Sequence, residues 1–180
     1  FLGDLDERVW THTIDLGLTG VFRAMKRAIP ELLARGGGAI VNTASMAGLL
    51  NAPAMGVYNV SKHAVVSLSE TLYHDLQLVE APIGASVLCP YFVPTGISQS
   101  HRNRPDDVKM DAAPTASQLA AEARTVKAVE AGKVSAAQVA QMTFDSVRDG
   151  TFYIYSHPGA LGNVATRMNE IVNQKNPSDP

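Results

Sequence analysis

Two short apolar runs, Ala39–Ala44 (AIVNTA) and Ala85–Cys89 (ASVLC), stand on either side of one long amphipathic stretch. That spacing constrains the fold more than any other feature of the chain. Each run is too short for a buried helix and is bounded by Gly or Pro. Gly36–Gly38 precede the first run, Pro82 and Gly84 precede the second, and Pro90 stops it. Both therefore read as buried strands. Between them, Val57 to Val79 carries Ala64, Val65, Leu68, Leu72, Leu76 and Val79 at spacings of three and four, the stripe of a helix.

The flanking segments extend the same alternation. Asp4 or Asp6 can cap a helix starting near Glu7. Its stripe is Ile14, Leu18, Val21, Phe22, Met25, Ile29, Leu32 and Leu33, with a bend expected at Pro30. Ser45 to Gly56 reads as a loop. Tyr91 to Pro114 holds three prolines and the polar run SQSHRNRPDD. It is too long for a plain connector and is expected to be a lid or a disordered segment. Helical pattern returns over 117–131. Ser135 caps a further helix, Ala136 to Arg148, with Val139, Met142, Thr143 and Val147 facing inward. Asp149-Gly150 is a turn, Thr151 to Tyr155 a third strand, and Gly159 to Gln174 a last helix. Short apolar strands alternating with long helices predict an α/β fold, a doubly wound parallel sheet covered on both faces. One domain over residues 1–175 is expected, followed by a disordered tail at 176–180, with no internal repeat.

Composition excludes several functions. The chain has 180 residues, 46% hydrophobic and 18% charged, with a net charge of −2. That is too apolar for a disordered chain, and it lacks the basic footprint that phosphate binding requires, so no nucleic-acid partner is expected. No apolar run approaches the length of a membrane span, and FLGDLDERVW is acidic where a signal peptide is basic, so no membrane partner is expected. Cys89 is the one cysteine and has no internal disulfide partner, which points to a cytoplasmic protein. The chain opens on Phe1 and runs almost at once into a helix, as the later part of a longer polypeptide would.

Chemistry concentrates between Ser45 and Lys62. Ser45 follows the first strand, Tyr58 lies thirteen positions later, and Lys62 follows by four. Four residues make about one helical turn, roughly 6 Å of rise, so Tyr58 and Lys62 share a face. An ammonium one turn from a tyrosine favours the phenolate and makes the hydroxyl a usable acid or base. A serine at the carboxyl end of a strand can donate to a substrate oxygen, because ligands of open α/β sheets bind at that edge. The three groups suit proton transfer at a carbinol or carbonyl oxygen.

With Asn42-Thr43-Ala44-Ser45-Met46-Ala47-Gly48, then Tyr58-Asn59-Val60-Ser61-Lys62, then Cys89-Pro90 through Thr95, the sequence resembles the "classical" branch of the short-chain dehydrogenase/reductase family. The resemblance runs from about Trp10 to Arg167. It implies a Rossmann-like, three-layer αβα fold and an oxidoreductase dependent on NAD or NADP. The substrate it implies is a small-molecule secondary alcohol or its ketone. By that resemblance Tyr58 is the general acid/base, Lys62 supports it and bonds the nicotinamide ribose, and Ser45 positions the substrate oxygen. Pro90, Val93 and Thr95 would line the nicotinamide. Family members pair through their two long helices, so a homodimer or homotetramer is expected. The family's opening strand–turn–helix with its glycine-rich dinucleotide motif is not among these residues. Gly17 stands where the family carries a relay asparagine, and Tyr91 where a glycine follows the proline.

Other candidates carry less. His63 turns away from Lys62 around the helix and reads as structural or solvent-facing. His12, His74, His101 and His157 show no metal-ligand spacing, so no metal is expected. Arg102 and Arg104 read as solvated loop charges. Met25, Met46, Met55 and Met110 read as core or pocket lining. The rival reading is a catalytically inactive binding or assembly protein of the same fold.

Overall fold

The computed structural model describes residues 2–109 and 113–180, with the side chain of Asp107 left aside. Met110, and the part of the long segment around it, fall outside the described residues. Helix α1 (Glu7–Ile14) starts at Asp6, whose carboxylate accepts the Arg8 backbone N–H, the capping expected from sequence. The helical run then widens into one π-helical segment, Asp15–Thr19, before α2 (Gly20–Ala34), with Pro30 inside α2. The stripe from Ile14 to Leu33 therefore lies on one run with a change of pitch in its middle. π segments re-aim side chains and recur at functional sites. Here Gly17 comes to face the Ser61 side chain, 3.7 Å from where its own Cβ would stand.

Strand β1 (Gly38–Thr43) leads to a 3-10 turn, Met46–Gly48. Helix α3 (Gly56–Leu78) crosses back to β2 (Ile83–Cys89). Gly84 was expected to help break the preceding helix and stand before this strand, but it lies inside the strand, paired with Ala39. A glycine in extended backbone keeps both ladder groups, so the partner strand holds it. Two 3-10 stretches follow, Gly96–Asn103 and Asp106–Val108. Helices α4 (Ala116–Glu130) and α5 (Ala136–Arg148) each open on a capping box, Thr115 with Gln118 and Ser135 with Gln138. Strand β3 (Tyr153–Tyr155) is shorter than expected, and α6 (Leu161–Val172) closes the order. The tail stays exposed, and the Ser178 N–H donates to the Glu170 carboxylate on α6.

Among the described residues the strands form one parallel sheet in the order β1–β2–β3. Helices α2 and α3 cover one face, where Met25, Ile40, Leu72, Leu76, Ile83 and Ala85 pack together. Val65 and Val87 are fully buried beside them, and truncating such a side chain costs on the order of 2–5 kcal/mol. Helix α5 lies over Leu88 on the other face, which gives the three αβα layers. Val139 is buried there, but Met142, expected inward, is 36% exposed because it falls on the flank of the stripe. One polar bridge ties the first face together. The buried Asn42 amide donates to Ser69 Oγ at 3.0 Å and to Met25 Sδ at 3.0 Å, and Ser69 Oγ donates to the Val65 carbonyl. Among the described residues no helix is long and apolar enough to cross a membrane, and no group of His, Cys, Asp and Glu could hold a metal ion.

Candidate active site

The carboxyl ends of the strands set the site. The β1–β2 ladder continues past Thr43, with the Ala44 N–H on the Leu88 carbonyl and the Met46 N–H on the Pro90 carbonyl, both at 2.8 Å. Ser45 sits between these bonds, so its backbone is fixed from both sides. Its hydroxyl caps the Met46–Gly48 turn by accepting the Ala47 N–H at 3.1 Å, and it points its own proton toward the Pro90 carbonyl at 3.4 Å. That second bond is long and weak. A half-buried hydroxyl held this way can turn its proton to another oxygen at little cost.

Lys62 reaches the same edge from α3. Its ammonium donates to the Thr43 carbonyl at 3.1 Å, two residues before Ser45. It also stands over the Tyr58 ring, 5.6 Å from the centroid, where the ring face attracts a cation. Burial pulls the Lys62 pKa down, and the Cys89 thiol opposes that shift. Of its three N–H donors only one has a protein acceptor among the described residues. The other two suit vicinal hydroxyls such as those of a ribose, so the residues present fit a nicotinamide nucleotide at this edge. The turn is pressed onto α3 at Gly48, where a Cβ would stand 2.7 Å from the Lys62 carbonyl oxygen. Helix and turn therefore meet backbone to backbone.

Cys89 lies beneath these groups, fully buried and free. Burial pushes its thiol up to about 11, while a hydrogen bond from the Ser45 backbone N–H pulls the other way. It is a protonated, inert thiol at neutral pH. His63 Nδ1 meets the Asn59 carbonyl at 3.0 Å, and its Nε2 is buried with no hydrogen-bond partner among the described residues.

Of the predicted residues, Ser45, Lys62 and Pro90 are joined by direct contacts through Thr43, Pro90 and the Gly48 turn, and Tyr58 joins through Lys62. Val93 and Thr95 follow on the chain leaving β2. Val93 is half-buried, and the exposed Thr95 hydroxyl accepts the Ile97 N–H to start the 96–103 stretch. That segment is braced from α4, since a Cβ on Gly132 would stand 2.6 Å from the Phe92 carbonyl oxygen. Arg102 donates to Gln99 and stays exposed, a loop charge as expected. Sequence reasoning missed the Thr43 carbonyl, because a main-chain acceptor has no residue signature. It also missed a contact between the ends of β2 and β3. There, Ser156 Oγ accepts the Tyr91 N–H at 3.0 Å and meets His157 Nδ1 at 2.7 Å.

Comparison with known proteins places the chain in a family. Residues 1–106 match the family described as short chain dehydrogenase. The chain belongs to the short-chain dehydrogenase family. A "CLA biosynthesis dehydrogenase/reductase" from Lactiplantibacillus plantarum is 31% identical over 175 residues, covering 94% of this chain and 60% of the relative. "Dehydrogenase/reductase SDR family member 4" of Bos taurus is 35% identical over 98 residues, 54% of this chain and 34% of the relative. The crystal structure of a short chain dehydrogenase/reductase from Burkholderia phymatum, in complex with NAD, superposes with a TM-score of 0.97 at 45% identity. It spans 100% of this chain, which covers 64% of that one. This short-chain dehydrogenase chain thus spans under two thirds of the length of these relatives, and it carries the Rossmann-like αβα fold expected from its sequence.

Proposed function

We propose that the protein carrying this chain is an oxidoreductase dependent on NAD or NADP that interconverts a small secondary alcohol and its ketone. The observation that carries this reading is the Lys62 ammonium, anchored on the Thr43 carbonyl beside Ser45 and over the Tyr58 ring. Ser45 Oγ holds the substrate oxygen, exchanging its weak bond to Pro90 for a better one. Tyr58 gives a proton to that oxygen in reduction and takes it in oxidation. The half-buried Lys62 ammonium stands over the Tyr58 ring and holds the helix turn that carries it against the strand end. The free N–H groups of Lys62 bond the nucleotide ribose, and Pro90, Val93 and Thr95 flank the nicotinamide. The bound nicotinamide supplies or accepts the hydride. The relatives' names support the same class, a dehydrogenase or reductase.

The experiment follows reduced nicotinamide absorbance for the full-length protein against a panel of alcohols and ketones. Tyr58→Phe is expected to lower kcat by on the order of 10²- to 10⁴-fold while cofactor still binds. Undiminished turnover in Tyr58→Phe overturns the assignment. Absence of calorimetric binding of either cofactor favours a non-catalytic binding protein instead.

A further inference from the structure

Strands β2 and β3 leave the sheet side by side. Cys89 is in register with Tyr155, so Pro90-Tyr91 and Ser156-His157 run out together at the edge where Ser45 and Lys62 stand. The pair is tied by Ser156, 2% exposed, whose Oγ accepts the Tyr91 N–H and lies 2.7 Å from His157 Nδ1. The two rings meet edge to face, 5.9 Å between centroids and 71° between planes. Tyr91 is 43% exposed, directly after the proline whose carbonyl receives Ser45 Oγ.

Hydrogen bonding around Ser156 favours one tautomer of the neutral His157 ring. Ser156 has one hydroxyl hydrogen and no access to water. Its partners are the Tyr91 N–H, a donor, and His157 Nδ1. If the neutral ring carried its hydrogen on Nδ1, two donors would point at Oγ and the hydroxyl hydrogen would have no acceptor. Such a buried orphan costs about 1–3 kcal/mol. With Nδ1 as acceptor every group is satisfied, and the ring hydrogen stands on Nε2. Nε2 has no protein partner among the described residues, and His157 is half-buried. It is an N–H donor held beside the Tyr91 ring, on the strand end that runs out next to Pro90.

We propose that His157, held by Ser156 as an Nε2–H donor beside Tyr91, is a specificity residue that binds a second oxygen on the substrate. The preferred alcohols and ketones then carry a carboxylate, ester or amide carbonyl besides the reacting oxygen. The proposal rests on the oxidoreductase reading for its kinetics, but the donor itself does not. A donor at this position acts on ground-state binding. It moves KM rather than kcat.

The test uses the full-length protein and oxo carboxylates of graded chain length, each paired with the ketone lacking the carboxylate. His157→Phe is expected to raise KM for the best oxo carboxylate about 10- to 100-fold, the range of one hydrogen bond to a charged acceptor, with kcat within about twofold. KM for the matched ketone stays unchanged, and His157→Gln, which keeps an N–H donor, restores much of the difference. Equal effects on both members of every pair, or no effect on any, overturn the proposal. Nitrogen-15 spectra give a readout independent of turnover. They are expected to show the Nε2–H tautomer, its resonance moving with an oxo carboxylate and not with the ketone. An Nδ1–H tautomer, or no movement with any carboxylate, overturns it. Lack of turnover with every carbonyl defeats the oxidoreductase reading alone, and the spectra then decide the role of His157.

Discussion

Gly48→Ala probes the joint between the serine turn and the lysine helix. The new Cβ would lie 2.7 Å from the Lys62 carbonyl oxygen, 2.9 Å from Val66 Cγ2 and 3.0 Å from the Lys62 carbonyl carbon. Two of these are backbone atoms of a 23-residue helix and have no rotamer to give way. Ordinary contact begins near 3.4 Å, so turn and helix must part by about 0.7 Å, the difference between the two distances. Overpacking of this kind costs about 1–3 kcal/mol, which for a chain of this size lowers Tm by roughly 2–12 °C. Ser45 caps the displaced turn, so its hydroxyl moves relative to the Lys62 ammonium. A misplacement approaching 1 Å lowers kcat/KM by roughly 10- to 100-fold. Thermal unfolding followed by circular dichroism, together with initial rates, measures both effects. Gly159→Ala is the control, since nothing lies within 4 Å of its Cβ position. Wild-type Tm and rates in Gly48→Ala would refute the backbone joint.

Two further outcomes are expected. The folded-state pKa of Cys89 is raised from 9.0 to about 11, so the unfolded chain loses this proton first as pH rises. Stability is then lost across that window by on the order of 3 kcal/mol, and urea unfolding at a series of alkaline pH values should show a flatter limb in Cys89→Ala. An identical slope in both proteins would count against the buried thiol. Gly132→Ala should push the 92–95 segment outward, because its Cβ would stand 2.6 Å from the Phe92 oxygen and 2.9 Å from Pro94 Cδ. Cofactor affinity measured by calorimetry is expected to fall about tenfold. Unchanged affinity would remove Val93 and Thr95 from the cofactor site.

The main elements were legible because each buries one side in a regular period. Ala39–Ala44 and Ala85–Cys89 announced β1 and β2 within a residue or two, and Ser135 announced the start of α5. Periodicity carries no record of a local change in pitch, so the π segment at Gly17 was not foreseen. Gly84 misled because a glycine's effect depends on the strand beside it, which the local sequence does not contain. Met142 misled because a stripe at spacings of three and four is wider than the strip of sheet that α5 covers. In the site, Ser45, Tyr58 and Lys62 stood out by spacing within one strand and one helix. The Ser156–Tyr91 tie joins residues 65 positions apart through a backbone N–H, and nothing local marks it.

The Ser45–Pro90 contact spans only 45 positions, whereas those that bring β3 onto β2 span 65. Closing the shorter loop is entropically easier, and pairing across it needs only β1, α3 and β2. As the chain emerges during synthesis, the residues proposed for proton transfer are all present once residue 90 is free to pair. The wall carrying His157 waits for β3. The proposed chemistry and the proposed discrimination thus sit on segments that mature at different times. Relaxation of the later one, with β1, α3 and β2 intact, would leave a centre able to react but less able to choose.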